Sequence, residues 1–487
     1  MPLCAACCVT KGFNKCGHCT RLSTVLCLPY SAKFSGIIAG FMADSGTCHV
    51  QCARNVSATG RNLLTLEASR KHCCKIRPPG DKQIASLVDF QLLSVIGQGA
   101  FGKVNWAFSM VDNWRWLQVV TVLLVRHSST GKVHAMKIIS KQFVIDMDSV
   151  HYMKTERDVM TKVGNIRHPF VIGLNYAFQT ESKVYLVMEY QSGGELFSYL
   201  KEEGTFTEDV VRFYLAEMIL ALEHLHKHGI IHRDLKPENV LISAEGHIKL
   251  TDFGLAKEYV DGQELLTVCG TKEYMAPEML LGKGYDSAVD WWSLGALAFE
   301  MLTGKPPFRS KNRADLHKKI LSAKIQLPGW LSGEAHSLIK ALLERNVGKR
   351  LGSGKSSMFV VKGVQALKRH PFFKSVDWKK METLRVPPPK VPNVSGEADT
   401  SNFDKKFTDM PASDLLCDAV IEEHNHLFRG FSFCRQDSIK EILSNPQSPI
   451  NTTMLPTIAS LVIDGDDIKD INDAITSAAS KQPAILT

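Results

Sequence analysis

The sequence predicts an α+β fold in which strands come first and helices follow. Phe90–Ile96 alternates like a strand, and the apolar run Lys183–Tyr190 is typical of a buried strand. After Thr207, a plausible N-cap, apolar residues recur at helical spacing until Gly229 stops the helix: Val211, Leu215, Met218, Leu222 and Leu225. A chain of 487 residues is long enough for a large folded domain with room left over.

Composition and charge exclude several classes of protein. The formal net charge is +8, and this mild basic excess is spread along the chain rather than gathered in the Lys/Arg stripe of a nucleic-acid surface. Hydrophobic residues make up 44%, without a run of eighteen apolar residues, so we expect no membrane span. The first residues lack the pattern of a secretory signal. We therefore expect a reducing compartment, the cytoplasm or also the nucleus, and free thiols or metal ligands rather than disulfides.

The segment His232–Asn239 and the later Asp252 carry the chemistry of phosphoryl transfer. Asp234 can accept the proton of an incoming hydroxyl, and Lys236 can reach the transferring group and offset its charge. Asn239 and Asp252 offer hard oxygen ligands to magnesium on ATP. Each short motif occurs by chance in many proteins, but their order and spacing here do not.

A glycine-rich segment precedes these motifs. The residues after the first strand are Gly97, Gln98, Gly99, Ala100, Phe101, Gly102, Lys103 and Val104. Three glycines let the backbone approach phosphates closely, because no Cβ intervenes. The pattern alone is weak, since dinucleotide-binding folds also carry it, but Val133–Lys137 follows as a short strand that ends in lysine.

Residues 105–122 separate the glycine segment from the next strand. Deleting these 18 residues would join Val104 to Leu123 and restore a regular strand. Three interpretations are open: translated intron sequence, a real looped insertion, or a replacement in which Val122 takes the place of Val104. We favour the first. A real insertion would misplace the loop over ATP.

Together these motifs resemble those of a eukaryotic protein kinase, and Lys236 matches the serine/threonine kinases. The resemblance implies a bilobal kinase fold over 90–373, with a small, mainly β N-lobe and a larger, mainly α C-lobe. It implies that Lys137 holds the α- and β-phosphates of ATP and pairs with Glu156. It also implies a nucleotide site in which Met188 is the gatekeeper, the backbone of Glu189 and Tyr190 binds adenine, and the slot is lined by Ile96, Ala135, Leu241 and Thr251.

Further matches imply substrate recognition and regulation. Glu195 and Glu238 match acidic positions that recognise arginine upstream of the target residue in basophilic kinases. Thr267 matches an activation-loop phosphosite, with Arg233 and Lys257 as partners of its phosphate. The resemblance also implies an ion pair between Glu278 and Arg350, and an Asp290 that braces the catalytic loop.

The C-terminal region resembles the tail of AGC-group kinases. Pro387–Pro392 predicts an extended linker, and Phe428–Phe433 matches the hydrophobic motif, with Ser432 as its phosphosite. In the family this motif docks beside the Glu156 helix. Met410-Pro411 stands where the family has the Thr-Pro of its turn motif. The tail, assigned to 374–440, and the residues around Asp290 most resemble the ribosomal protein S6 kinases.

The two ends of the chain carry few signals. Residues 1–87 hold ten of the thirteen cysteines, and Cys4–Cys7 and Cys16–Cys19 have the paired spacing of a zinc knuckle. A disordered extension or a mispredicted first exon is the interpretation we favour over a zinc site. Residues 441–487 predict a flexible, polar tail.

The sequence therefore predicts an ATP- and Mg²⁺-dependent serine/threonine kinase that acts on proteins with basic residues upstream of the target. Regulation by an activation-loop kinase and a hydrophobic-motif kinase, in a growth or nutrient signalling cascade, is implied by the resemblance. We expect a monomer that binds no nucleic acid. The alternative is a catalytically impaired scaffold, favoured only by the interrupted glycine segment.

Overall fold

An antiparallel sheet forms the first lobe. The computed structural model describes residues 85–99, 120–260, 264–354, 361–413 and 424–444, and the predicted cysteine pairs lie outside these ranges. The strands of the sheet are β1 (Phe90–Gly99), β2 (Val120–His127), β3 (Val133–Ser140), β4 (Leu174–Gln179), β5 (Lys183–Glu189) and β10 (Phe433–Cys434). They lie in the order β1-β2-β3-β5-β4-β10. The last strand comes from the C-terminal tail, so the tail completes the sheet of the first lobe.

Strand β2 begins earlier than the sequence predicts. Gly97 of β1 lies opposite Val122, and Gly99 lies opposite Val120. Strand β2 therefore includes the last three residues of the predicted insertion at 105–122. The pairing favours the alternative in which Val122 takes the place of Val104. Residues 100–119, with the rest of the glycine segment, lie outside the described part of the chain.

Two deletions of equal length test this pairing. Removing 105–122 would put Gly102, Lys103 and Val104 into the strand in place of Val120, Thr121 and Val122. Removing 102–119 instead keeps these three native residues in the strand. Val120 is 5% exposed, and the first deletion replaces it with glycine. We expect the 102–119 deletion to be the more stable by about 1.5–3 kcal/mol, the usual value of burying such a side chain. Urea unfolding of both variants measures this difference, and equal stabilities would contradict the register.

Two helices follow β3 in the first lobe: α1 (Lys141–Asp146) and α2 (Val150–Ile166). Helix α2 buries Met153, Val159 and Val163, which recur at helical spacing. Glu156 lies on the same buried face. The helix therefore carries a carboxylate into the interior, beside the sheet.

The second lobe is mainly helical. Its helices and short strands are α3 (Leu196–Glu203), α4 (Glu208–Lys227), β6 (Ile230–Ile231), β7 (Val240–Ile242), β8 (Ile248–Leu250), β9 (Lys257–Glu258), α5 (Pro277–Leu280), α6 (Ala288–Thr303), α7 (Arg313–Ser322), α8 (Gly333–Leu342) and α9 (Gly363–Lys368). The predicted N-cap is confirmed, since the Thr207 side chain accepts a hydrogen bond from the Val210 amide. Helix α6 is buried along nearly its whole length and forms the centre of the lobe.

The predicted ion pair between Glu278 and Arg350 is confirmed. Arg350 donates from Nη1 to Glu278 Oε1 at 2.6 Å and from Nη2 to Oε2 at 2.8 Å. Arg350 is only 2% exposed, and its Nη1 also donates to the carbonyl of Ala288. The pair therefore ties the segment before α6 to the chain after α8.

The tail runs from the second lobe back to the first. Helices α10 (Trp378–Glu382) and α11 (Lys405–Thr408) flank Pro387–Pro392, which has neither helix nor strand, as predicted. The linker lies so close to the second lobe that a Cβ at Gly246 would come within 2.2 Å of the Lys390 carbonyl oxygen. Gly246 also has φ +96°, so glycine is required there for two reasons.

The hydrophobic motif docks on the first lobe. Phe428 and Phe431 are fully buried, and Phe433 in β10 pairs with Ala177 of β4. A final helix, α12 (Gln436–Ser444), follows and crosses the boundary predicted at residue 440. Within the described ranges, no helix combines the length and apolar character needed to cross a bilayer.

Candidate active site

A lysine and two carboxylates meet between the lobes. Strand β3 presents Lys137, whose Nζ lies 2.6 Å from Glu156 Oε1 on α2 and 3.4 Å from Asp252 Oδ1. The predicted pairing of Lys137 with Glu156 is confirmed. Burial alone would lower the pKa of Lys137, but the two carboxylates outweigh it and raise that pKa. Lys137 in turn holds the pKa of Asp252 below its ordinary value. The lysine is therefore a fixed cation, and Asp252 is ionised at neutral pH.

Asp234 is held by hydrogen bonds on both carboxylate oxygens. Oδ1 accepts from the Thr271 amide at 2.8 Å and from the Thr271 hydroxyl at 2.7 Å. Oδ2 lies 2.9 Å from Lys236 Nζ, and the Asn239 side-chain amide donates to the Asp234 carbonyl at 2.9 Å. Thr271 was not predicted from the sequence. It lies in a segment whose approach to Asp234 depends on how the loop folds back.

Asp290 braces the catalytic loop, as predicted. Its Oδ2 accepts from the His232 amide at 2.9 Å and its Oδ1 from the Arg233 amide at 2.8 Å. Burial alone would raise the pKa of Asp290, but hydrogen bonds from His226 and from the Arg233 backbone keep it below the ordinary value.

Two residues of the site have left-handed backbone: Arg233 has φ +66° and Asp252 has φ +59°. Such left-handed backbone is costly for residues other than glycine, and it persists here because neighbouring groups hold it.

Two of the residues predicted to line an adenine slot are neighbours in the sheet, since Ala135 of β3 lies opposite Met188 of β5. Ile96, Ala135 and Met188 belong to one apolar cluster, and Leu241 packs against that cluster. The Thr251 amide donates to the Asn239 carbonyl at 3.0 Å, so Thr251 runs beside the catalytic loop. Of the glycine segment, Gly97, Gln98 and Gly99 lie in β1 and the remainder is not described.

The tail contributes an aromatic ring beside this slot. The Phe403 ring stacks on Tyr190, with centroids 5.7 Å apart, and the Tyr190 hydroxyl donates to the Asp399 carbonyl at 2.5 Å. Sequence reasoning did not assign Phe403 to the site. The Asn-Phe-Asp sequence around Phe403 was the signal that could have indicated a role. Only the folded tail brings this ring to Tyr190, at the end of β5.

The carboxylates of Glu195, Glu238 and Glu300 form an acidic field near the catalytic loop, in which Glu238 affects the pKa of the other two. Burial raises the pKa of Glu195, and the carboxylate of Glu238 adds to the rise. Burial also raises the pKa of Glu300, where a hydrogen bond from Tyr274 opposes the rise and Glu238 reinforces it. Glu300 was not predicted, because it lies near the C-terminal end of helix α6, far along the chain from the other two. The field would attract a cationic group.

Thr267 is exposed, but Arg233, one of the two side chains predicted to hold its phosphate, has other partners. Arg233 Nε donates to the Leu255 carbonyl at 2.6 Å, and Nη1 donates to the Tyr285 hydroxyl at 3.0 Å. That hydroxyl in turn donates to the Thr267 carbonyl at 2.7 Å. Arg233 is therefore linked to the Thr267 backbone through Tyr285, in the part of the activation segment that the structure describes.

The surroundings of Ser432 are basic and incompletely hydrogen-bonded. Arg157 of α2 donates from Nη2 to the Gly430 carbonyl at 2.8 Å and lies over the Phe431 ring, 5.9 Å from its centroid. Within the described residues, Arg157 Nε and the Ser432 hydroxyl oxygen are buried without a hydrogen-bond partner. Arg157 therefore binds the docked motif at Gly430 and Phe431, the two residues that precede Ser432.

The donor set fits a magnesium ion. Asp252 follows Thr251, which is hydrogen-bonded to the Asn239 backbone, so their side chains arise from adjacent chain segments. The Asn239 amide nitrogen is used as a donor to Asp234, which leaves its oxygen as the ligand atom. Carboxylate and amide oxygens are the protein ligands that magnesium prefers.

Comparison with known proteins agrees with this geometry. The protein kinase domain model matches residues 118–373, and the protein kinase C terminal domain model matches residues 394–433. The first match begins two residues before β2. It covers more than half of the chain, and the second covers the tail that completes the sheet.

Similar proteins are serine/threonine kinases. The Serine/threonine-protein kinase AtPK2/AtPK19 of Arabidopsis thaliana is 45% identical over 357 residues, covering 72% of this chain and 69% of that protein. Ribosomal protein S6 kinase beta of Caenorhabditis elegans is 46% identical over 349 residues, covering 71% and 59%. Ribosomal protein S6 kinase alpha-2 of Homo sapiens is 45% identical over 353 residues, covering 72% and 45%. With the two matched domains, these relatives show that the chain belongs to the protein kinase family, as a serine/threonine kinase of the AGC group.

Proposed function

We propose that this kinase transfers the γ-phosphate of ATP to serine or threonine in proteins with basic residues upstream of the target. The observation that carries the proposal is the hydrogen-bonded Asp234 paired with Lys236, together with Lys137, which lies between Glu156 and Asp252. The family uses ATP, typically with Mg²⁺. The likeness to ribosomal protein S6 kinases supports a place in a growth or nutrient signalling cascade.

Each side chain has a role in this proposal. Asp234 orients the substrate hydroxyl and takes its proton, since its carboxylate is fixed in place by Thr271 and Asn239. Lys236 and Lys137 offset negative charge on the phosphoryl group in transit. A magnesium ion held by Asn239 and Asp252 would neutralise further charge on the phosphates.

The nucleotide base would lie in the apolar slot. Ile96, Ala135 and Met188 supply the N-lobe wall, and Leu241 supplies the opposite wall. The backbone of Glu189 and Tyr190 would hydrogen-bond the adenine edge. The ring of Phe403 supports Tyr190, so we infer that the tail helps to keep this wall in place.

The acidic field supports recognition of arginine. We expect Glu238→Gln and Glu195→Gln each to lower kcat/KM by about 10–150-fold for a peptide with arginines upstream of serine, because an arginine-carboxylate hydrogen bond is worth about 1.5–3 kcal/mol. A peptide in which alanine replaces those arginines should be little affected. Steady-state kinetics on both peptides measure the difference. Glu334→Gln, at the exposed start of α8, is the matched control. Equal losses on both peptides would contradict the assignment.

Phosphorylation of Thr267 and of Ser432 would each add a negative charge close to basic side chains. A phosphate carries about −1.5 to −2 charges at neutral pH. On Thr267 we expect Arg233 and Lys257 to be its partners, and on Ser432 we expect Arg157, which contacts the preceding residues Gly430 and Phe431. The first would order the segment that holds Thr271 against Asp234. The second would strengthen docking of the tail on α2. An upstream kinase would modify each site.

Loss of these phosphosites should lower activity. We expect Thr267→Ala to reduce kcat/KM by about 5–150-fold, the usual range of a regulatory coupling. Ser432→Ala should have a smaller effect, because Phe428 and Phe431 are buried without the phosphate. Kinetics on protein whose phosphorylation is verified by mass spectrometry provide the measurement, with the exposed Thr383→Ala as control. Undiminished activity of Thr267→Ala would overturn the regulatory proposal.

A further inference from the structure

The chain beyond the hydrophobic motif makes contacts with the end of strand β5. After β10, the Arg435 amide donates to the Asn175 carbonyl of β4 at 2.9 Å. The Arg435 side chain, 17% exposed, reaches Glu189, with Nη1 lying 3.3 Å from Oε1. A Cβ at Gly173 would come within 3.3 Å of that same Nη1, so glycine there leaves room for the guanidinium. Arg435 therefore extends from the docked tail to the last residue of β5.

The second carboxylate oxygen of Glu189 has a different cationic partner. Lys249 of β8, in the second lobe, lies 3.1 Å from Oε2. One carboxylate is thus bound from the tail by Arg435 and from the second lobe by Lys249. Glu189 immediately precedes Tyr190, and the backbone of these two residues would contact adenine. The side chain and the backbone of one residue therefore link the tail to the nucleotide slot.

Helix α12 holds Arg435 in place. Ser438 is 3% and Ile439 is 2% exposed, and the Ile439 amide donates to the Arg435 carbonyl at 3.1 Å. Asp437 forms an ion pair with Arg167, and Glu441 lies 2.7 Å from Lys132 after β2. Residues 437–441 of the helix are consequently docked on the first lobe, and Arg435 is fixed between β10 and this helix.

We propose that Arg435 is a positioning residue that couples docking of the tail to ATP affinity through the Glu189 side chain. When the tail is docked, Arg435 and Lys249 fix both oxygens of Glu189 and so restrict the backbone that binds adenine. When the tail leaves, Glu189 loses one partner and that backbone gains freedom. The role of Glu189 in binding adenine rests on the proposed function.

The test separates ATP binding from peptide phosphorylation. We expect Arg435→Ala to raise the Kd of a fluorescent ATP analogue and KM for ATP about fivefold, within the range of mutational effects on coupling. Peptide KM and kcat should remain nearly unchanged, and Arg435→Lys should recover part of the affinity. Arg435 borders a cavity of about 250 Å³, so the alanine variant enlarges an existing space rather than the core. Thermal unfolding checks that it folds.

A double-mutant cycle assigns the effect to Glu189. Glu189→Gln should weaken nucleotide binding to a similar extent, and adding Arg435→Ala to it should have little further effect. Glu441→Gln, which breaks the exposed ion pair on the same helix, is the control and should leave ATP affinity unchanged. Additive losses, or equal effects of Arg435→Ala and Glu441→Gln, would overturn the proposal. If the wild-type chain binds the analogue but transfers no phosphate, the proposed function is wrong. The double-mutant cycle measures only nucleotide affinity, so it would still test the role of Arg435.

Discussion

Replacing Asp234 with asparagine is expected to lower kcat for peptide phosphorylation by about 10²–10⁴-fold, the range attributed to general acid–base catalysis. Asparagine has nearly the same shape, so its Oδ1 can still accept from Thr271, and Asn239 keeps its hydrogen bond to the main-chain carbonyl of residue 234. It cannot take the proton of the substrate hydroxyl, and it loses the charge that faces Lys236. The loss should fall on kcat, with ATP affinity retained. Single-turnover kinetics and nucleotide titration measure the two effects separately.

The control for this substitution is Asp315→Asn, an exposed aspartate in the first turn of α7. It removes the same charge from the protein surface and should leave kcat unchanged. Loss of nucleotide binding together with kcat in Asp234→Asn would indicate a collapsed site. Retention of near-native kcat would contradict the role of Asp234 as the base.

Removing Glu278 is expected to produce the largest loss of stability. In Glu278→Ala the Arg350 guanidinium keeps its buried position, with 2% of its surface exposed, but loses both carboxylate hydrogen bonds. An uncompensated buried charge costs about 3–5 kcal/mol in free energy of unfolding. Urea unfolding monitored by tryptophan fluorescence suits this measurement, because Arg350 lies 5.2 Å from the centroid of the Trp292 ring.

Two variants separate loss of the pair from loss of a side chain. Glu258→Ala breaks an exposed pair with Lys162 and should cost only about 0.2–1 kcal/mol. Glu278→Leu combined with Arg350→Met replaces both charges with apolar groups and should recover much of the stability lost in Glu278→Ala. A Glu278→Ala variant no less stable than Glu258→Ala would show that the buried pair is dispensable.

Much of the active site was predictable because several of its catalytic residues lie close together in the sequence. Asp234, Lys236 and Asn239 lie within one loop, so their spacing along the chain already limits their spacing in space. Docking of the tail was predictable for a different reason, since three exposed phenylalanines would be costly unless they found an apolar surface. The structure places two of them in the interior.

The contacts that escaped prediction join residues far apart in the chain. Thr271 meets Asp234 across 37 residues, and Arg435 meets Glu189 across 246. The periodicity of the sequence does not predict such long-range contacts, because they depend on how the loops and the tail fold back onto the lobes. The start of β2 was missed because the apolar residues around Val120 fit a strand in either register, and only pairing with Gly97–Gly99 decides between them.

The central claim is most directly tested by phosphate transfer from radiolabelled ATP to a serine peptide with upstream arginines. The intact chain, phosphorylated at Thr267, is compared with its Asp234→Asn variant. Magnesium-dependent incorporation by the intact chain, lost in the variant and reduced for a peptide without arginines, is the result that we predict. No incorporation above the variant, from a chain that is folded and phosphorylated at Thr267, would contradict it and favour a scaffold that keeps the kinase fold without its activity.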